Sequence, residues 1–140
     1  MRSLIKIFSS LLCRKFLLLG CLLVTIHSGS YSQEYLKNIS NALNQGDASA
    51  VSAYFDKTVD ITFSEESNTY SKKQAEIILQ KFFSKVEPKQ FQKFKSGDSK
   101  YNNTYYSIGR LSTSNGDYKI YLFFLQKKGI YYLKEMRFEK

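Results

Sequence analysis

The sequence predicts an α+β domain, with two or three helices of the N-terminal half packed on one face of a curved, mainly antiparallel sheet. Three observations carry that expectation. Apolar residues recur at helical spacing in Gln33–Gln45 and Ser71–Val86, both in the earlier part of the chain. From Lys89 onward the chain reads as successive strand-like stretches rich in aromatic and aliphatic residues, separated by turn residues. The first thirty residues have the make-up of a secretory leader and stand apart from both patterns.

In the leader, Met1–Lys15 carries Arg2, Lys6, Arg14 and Lys15 with no acid, Phe16–Ile26 is wholly apolar but for Gly20 and Thr25, and residues 27–32 are small or polar. A membrane span needs about 20 apolar residues, and Lys6, Arg14 and Lys15 interrupt the longer stretch. The reading is therefore a signal peptide over residues 1–30 and one domain over 31–140, secreted or periplasmic, with no membrane span once the leader is removed. Cleavage before Tyr31 and cleavage before Gln33 both place small residues at the site. A lipoprotein cut before Cys21 is the alternative, but the polar stretch it needs is replaced by Leu22–Ile26.

Removal of the leader decides much of the chemistry. Cys13, Cys21 and His27 are the only cysteines and histidine, and all three lie in it. The remaining 110 residues contain no Cys, His or Trp and carry a net charge of +5 rather than +9. Disulfides, histidine-based triads and ordinary zinc sites are excluded. No glycine-rich phosphate loop is present, so no cofactor and no metal is expected.

The elements follow in order. Gln33–Gln45 places Leu36, Ile39 and Leu43 on one helical face, and Gly46 stops it. Asp47 is a suitable N-cap for a short helix, Asp47–Phe55. Thr58–Phe63 alternates as a half-buried strand, and Glu65–Asn68 reads as a turn. Ser71 and Gln74 match a capping box, whose hydroxyl and amide satisfy free backbone N–H groups reciprocally. Ala75, Ile78, Leu79, Phe82, Phe83 and Val86 then form a broad apolar face, and Pro88 ends the helix.

Strands are expected at Lys89–Lys95, with Phe94 off strict alternation, at Tyr101–Leu111, at Asp117–Gln126 and at Ile130–Phe138. Asn115-Gly116 predicts a type I′ hairpin turn. In Asp117–Gln126 both faces are apolar: Tyr118, Ile120, Leu122 and Phe124 point one way, and Tyr121, Phe123 and Leu125 the other. A strand with one wet face should alternate apolar and polar residues. Its second face is therefore covered by the sheet's own curl, by a second copy in a homodimer, or by another partner.

The run Ala42-Leu43-Asn44-Gln45-Gly46-Asp47, followed by Val51, Tyr54-Phe55, Val59 and Ile61, resembles the opening of the NTF2-like (cystatin-like α+β) superfamily. The Ser71–Val86 helix and the closing strands fit the same plan over nearly all of Gln33–Lys140. With its leader the chain is most similar to the small secreted bacterial family known as domain of unknown function DUF4783. The resemblance implies a cone with a pocket between helices and sheet, often in a dimer. It implies no particular activity, because the fold hosts isomerases, dehydratases, transport factors and inactive binding modules.

Within that implied pocket the candidate lining residues are Phe55, Phe63, Phe82, Tyr106, Tyr118 and Tyr132; a phenol offers apolar area and a polar tip. Tyr121, Phe123 and Leu125 are the candidate interface. NTF2-like isomerases use a pocket carboxylate and a tyrosine or protonated acid, which leaves Asp56, Asp60 and Glu135 to consider here. Alternation sends Asp60 away from the core, and Asp56 falls at a helix end. Glu135 turns inward only if a bulge shifts the register between Leu133 and Met136. No acid is aimed at the pocket, so no catalytic residue is assigned.

Lys81, Lys85, Lys89, Lys93, Lys95 and Lys100 crowd one stretch. They are spread over two elements, with little arginine and no nucleic-acid motif, and read as a solvated face rather than a nucleic-acid site. The expected role is a non-catalytic module that binds a small apolar or mixed-polarity molecule or a protein partner. The alternatives are a carboxylate/tyrosine isomerase or dehydratase, and a module for anionic envelope material acting through the Lys81–Lys100 face.

Overall fold

The structure, a computed structural model, describes residues 31–99 and 101–140. The expected leader with Cys13, Cys21 and His27, and Lys100 of the basic stretch, lie outside the described residues.

Helix α1 (Tyr31–Gln45) buries Leu36, Ile39 and Leu43, the three residues that helical spacing puts on one face. Its end explains the Gly-Asp pair. Gly46 is left-handed (φ 63°), its N–H donates to the Leu43 carbonyl and the Asp47 N–H to the Ala42 carbonyl. This double closure pairs two of the last carbonyls of the helix and suits a residue without Cβ. Asp47 then caps α2 (Ala48–Ser52), its carboxylate accepting from the Ala50 N–H at 2.9 Å. The second helix is thus shorter than the predicted Asp47–Phe55. Phe55 instead opens strand β1 (Phe55–Phe63), which begins earlier than the predicted Thr58.

Residues Glu66–Ser71, expected in part as a turn, form strand β2, and the turn is Ser64-Glu65 with Ser64 at φ 57°. The capping box is present in full: the Ser71 hydroxyl accepts from the Gln74 N–H, and the Gln74 amide oxygen accepts from the Ser71 N–H. It starts α3 (Lys72–Val86), which buries Ala75, Leu79, Phe83 and Val86. A left-handed Glu87 (φ 52°) ends α3, and Pro88 already belongs to the next strand.

Strands β3 (Pro88–Ser99), β4 (Thr104–Thr113), β5 (Gly116–Lys127) and β6 (Ile130–Glu139) complete one six-stranded sheet in the order β2-β1-β6-β5-β4-β3. Among the described strands only the β1–β6 pair is parallel. Phe94 owes its odd phase to a bulge between Lys93 and Lys95, which leaves its ring 52% exposed.

The predicted type I′ turn occurs at a different hairpin. Thr113 pairs with Gly116, and Gly116 (φ 101°) but not Asn115 has positive φ, so the two-residue loop Ser114-Asn115 is not a type I′ turn. Lys128 (φ 51°) and Gly129 (φ 82°), between paired Lys127 and Ile130, have the two positive φ values that a type I′ turn demands.

The helices cover one face of the sheet. There Val59, Ile61, Leu111, Ile120, Leu122, Phe124, Leu133, Met136 and Phe138 are buried with the helical residues. Leu133 and Met136 are both fully buried because β6 carries an extra residue, Lys134, between the pairs Phe124–Leu133 and Phe123–Glu135. Among the described residues no helix is long and apolar enough to cross a membrane.

Candidate functional site: an aromatic cavity at one end of the sheet

The C-terminal end of α3, the β1–β2 turn, the β4–β5 turn and the end of β6 meet around an open cavity of about 540 Å³. Its floor is aromatic. Phe82 on α3 lies 4.7 Å from Phe63 at the end of β1, 4.7 Å from Phe138 at the end of β6 and 5.3 Å from Tyr118 at the start of β5, centroid to centroid. Phe63 and Phe138 stack at 5.2 Å because parallel pairing of β1 and β6 puts them side by side. Such packing fixes the rings and leaves Phe63, Phe82 and Tyr118 partly open to solvent.

The rim is polar. Ser64, Lys85, Asn115 and Lys140 complete the lining with Val86 below them. Three of the last carbonyls of α3 have partners. Phe83, Lys85 and Val86 accept from the Glu87 N–H, the Asn115 side-chain amide and the Ser114 N–H at 2.8, 2.8 and 2.9 Å. The β4–β5 turn therefore caps the negative end of the helix. The Lys140 ammonium stands 5.8 Å from the Tyr118 ring centroid.

Three of the six sequence-predicted lining residues, Phe63, Phe82 and Tyr118, meet here. Phe55 does not reach the cavity; it is 2% exposed in the core at the start of β1. Tyr106 and Tyr132 are corrected to the opposite face of the sheet. In each adjacent pair the inner position goes to the neighbour, Tyr105 packing on Phe124 at 5.7 Å and Tyr131 on Tyr105 at 6.0 Å. Tyr106 is paired with Gly97 across β3, and its ring occupies the space where a Cβ would stand. Lys85, Asn115 and Lys140 were not named as lining residues. They lie in three separate elements, and only the folded ends bring them together.

None of the acids considered faces the cavity. Asp56, on β1 rather than at a helix end, pairs with Lys127 at 2.6 Å and Lys134 at 3.5 Å. The Lys127 ammonium bonded to it holds its carboxyl below the usual carboxylate range against the pull of burial, with the Lys57 N–H and the Lys134 charge assisting. This group sits where β1 and β6 lose their regular pairing between Phe55 and Asp60, and Lys134 also donates to the Thr58 carbonyl there. Asp60 accepts from the Thr69 hydroxyl of β2. The β6 bulge that Glu135 required is present, yet Glu135 points outward and binds Arg137 at 2.8 Å.

The outer face presents the candidate interface. Tyr106, Ile108, Tyr121 and Phe123 border a shallow hollow of about 250 Å³ with Glu135 and Arg137. Phe123 is 39% exposed. Tyr121 is partly covered by Lys119 and Arg137, at 4.8 and 5.9 Å from its ring centroid. Of the described lysines of the basic stretch, only Lys85 lines the cavity. Lys81 is exposed on α3, and Lys89, Lys93 and Lys95 are exposed on β3, an edge strand where lysine discourages pairing with another chain.

This geometry can be set against known proteins. The sequence profile of the domain of unknown function DUF4783 matches residues 36–139. The chain belongs to the DUF4783 family. The crystal structure of a DUF4783 protein from Bacteroides ovatus is 24% identical and superposes with a TM-score of 0.70, covering 74% of this chain and 92% of that one. One from Bacteroides uniformis is also 24% identical, with TM-score 0.70 and coverages of 74% and 94%. An NTF2-like protein of unknown function from Cytophaga hutchinsonii is 10% identical, with TM-score 0.57 and coverages of 81% and 92%. These likenesses establish that the DUF4783 chain has an NTF2-like α+β fold, and they speak to the fold alone. No curated protein matches the sequence.

Proposed function

We propose that this DUF4783 protein acts after export, in the periplasm or outside the cell, as a non-catalytic binding module. Its end cavity takes a small apolar or mixed-polarity ligand, or an inserted segment of a protein partner. One observation carries the reading: the lining combines a fixed aromatic floor with hydroxyl, amide and ammonium groups and, among the described residues, no carboxylate side chain. Small-molecule sites are mostly apolar surfaces with a few placed polar groups. An isomerase of the carboxylate type needs its base within hydrogen-bond reach of the substrate. Asp56, Asp60 and Glu135 are instead engaged elsewhere in the sheet.

The test is native mass spectrometry of the protein recovered from its own host. The expected result is a chain beginning near Tyr31 with an added small mass that denaturation removes. A chain still carrying residues 1–30 overturns the exported location. A ligand-free mass, together with no small molecule or host protein retained by the unmutated chain and lost by Phe82→Arg, overturns the binding role.

A second reading concerns the other face and rests on Phe123, a large apolar ring on a central strand that the described residues leave 39% exposed. There the module forms a homodimer through Tyr121, Phe123 and Leu125.

A further inference from the structure

The chemistry of the cavity narrows the class of ligand. Flat aromatic surface is supplied by Phe63, Phe82 and Tyr118, all partly exposed. Two ammonium groups, Lys85 and Lys140, stand on the rim, and neither forms an ion pair among the described residues. The acids nearest in the chain are accounted for. Glu87 is exposed and accepts from the Ser114 hydroxyl at 2.8 Å; Glu139 lies 4.0 Å from Arg137; Glu65 is exposed on the β1–β2 turn. None of the three lines the cavity. Of the last carbonyls of α3, those of Lys85 and Val86 are capped by the β4–β5 turn and that of Phe83 by the Glu87 N–H. What remains is an apolar floor under a rim with two ammonium groups and, among the described residues, no acidic side chain, and Ser64 and Asn115 add polar groups beside it.

We infer that the ligand is a small organic anion: a flat apolar body carrying a carboxylate, sulfonate or phosphate, with the body on the aromatic floor and the anionic group between Lys85 and Lys140. This rests on the binding role proposed above and assigns its ligand class. Each half has its own reason. Placing a flat body against several rings removes apolar area from water. A charge-assisted hydrogen bond to an ammonium at the edge of an apolar surface is stronger than the same contact in open water.

The experiment compares two fluorescent probes with nearly the same ring system, anionic anilinonaphthalenesulfonate and neutral phenylnaphthylamine, titrated into residues 31–140. The expected result is saturable binding of the sulfonate at one site per chain, with affinity falling as salt rises. Lys85→Gln/Lys140→Gln should weaken the sulfonate by about five-fold or more and leave the neutral probe unchanged. Lys89→Gln/Lys93→Gln removes the same charge from β3, away from the cavity, and should change neither.

Equal binding of the two probes, indifferent to Lys85 and Lys140, overturns the anion inference and leaves the binding role standing. So does a sulfonate affinity that falls equally in both lysine variants, because the charge effect is then not local to the cavity. Failure of both probes to bind tells against the cavity itself, and the anion inference goes with it.

Discussion

Ser107 lies fully buried on β4, facing the helices, and its hydroxyl is the one buried side-chain polar atom among the described residues without a hydrogen-bond partner. An extended strand offers a serine no local carbonyl of the kind that Ser40 and Ser84 use on their helices, four residues back. Ser107→Ala removes an unpaired polar group that costs about 1–3 kcal/mol to bury and opens only a small void. It should raise stability by about 0.5–1 kcal/mol in urea denaturation; a clear loss instead would mean that the hydroxyl bonds an ordered water. Asp56 behaves oppositely, since its ion pairs hold together the break between β1 and β6. Asp56→Asn should cost about 1 kcal/mol at neutral pH. Because the folded carboxyl titrates below its unfolded value, that contribution is complete above the ordinary carboxylate range. It disappears as pH falls through the folded pKa. Denaturation of the two proteins should therefore converge in acid, and a difference unaffected by pH would show that shape rather than charge holds the break.

At the scale of elements, signals that a segment carries within itself were legible, and those set by a neighbour were not. The capping box, the Gly46 stop and the apolar face of α3 each lie within a few residues, and all are present in the fold. β2 was missed because it is an exposed edge strand. Of its residues Glu66–Ser71 only Tyr70 is partly buried, too little to impose alternation, and the strand forms because β1 offers it a full row of backbone partners. Which tyrosine of each adjacent pair turns inward was also hidden, because register across the sheet decides it, and Gly97 makes room for the Tyr106 ring only after β3 and β4 pair. The aromatic floor was half legible from apolar positions on α3, β1 and β5, whereas the rim depended on where three element ends meet. Ser71→Ala tests the local kind of signal. Ser71 closes β2 and caps α3, so its loss should cost about 1 kcal/mol. Because Ser71 and Gln74 satisfy each other, Ser71→Ala/Gln74→Ala should lose less than the sum of the two single changes in thermal unfolding. Strict additivity would mean that the reciprocal bonds do not form in solution.

At the scale of the whole molecule, the sheet presents two apolar faces and the helices cover one. On the outer face the aromatic rings are partly sheltered by the stems of basic residues: Arg110 stands 5.2 Å from Phe94, Lys127 5.8 Å from Tyr132, and Lys119 and Arg137 flank Tyr121. Among the described residues Phe123 has no such cover, and it sits beside Tyr106, its cross-strand partner, near the middle of the sheet. Four strands about 4.8 Å apart and ten residues long give a footprint of roughly 600 Å², approaching the ~800 Å² that each partner contributes to an ordinary stable interface. A homodimer burying this face should therefore sediment as such at tens of micromolar, roughly, if its dissociation constant is in the usual micromolar range. Phe123→Lys places a charge at the centre of the contact and, by two-fold symmetry, near its own copy, so the variant should sediment as a monomer. Its thermal midpoint at low concentration should change little, because the ring supports nothing in the core. A wild-type domain that is monomeric throughout that range would reject the homodimer and leave Phe123 to a different partner. A variant that unfolds instead of dissociating would place Phe123 among the residues that hold the sheet itself together.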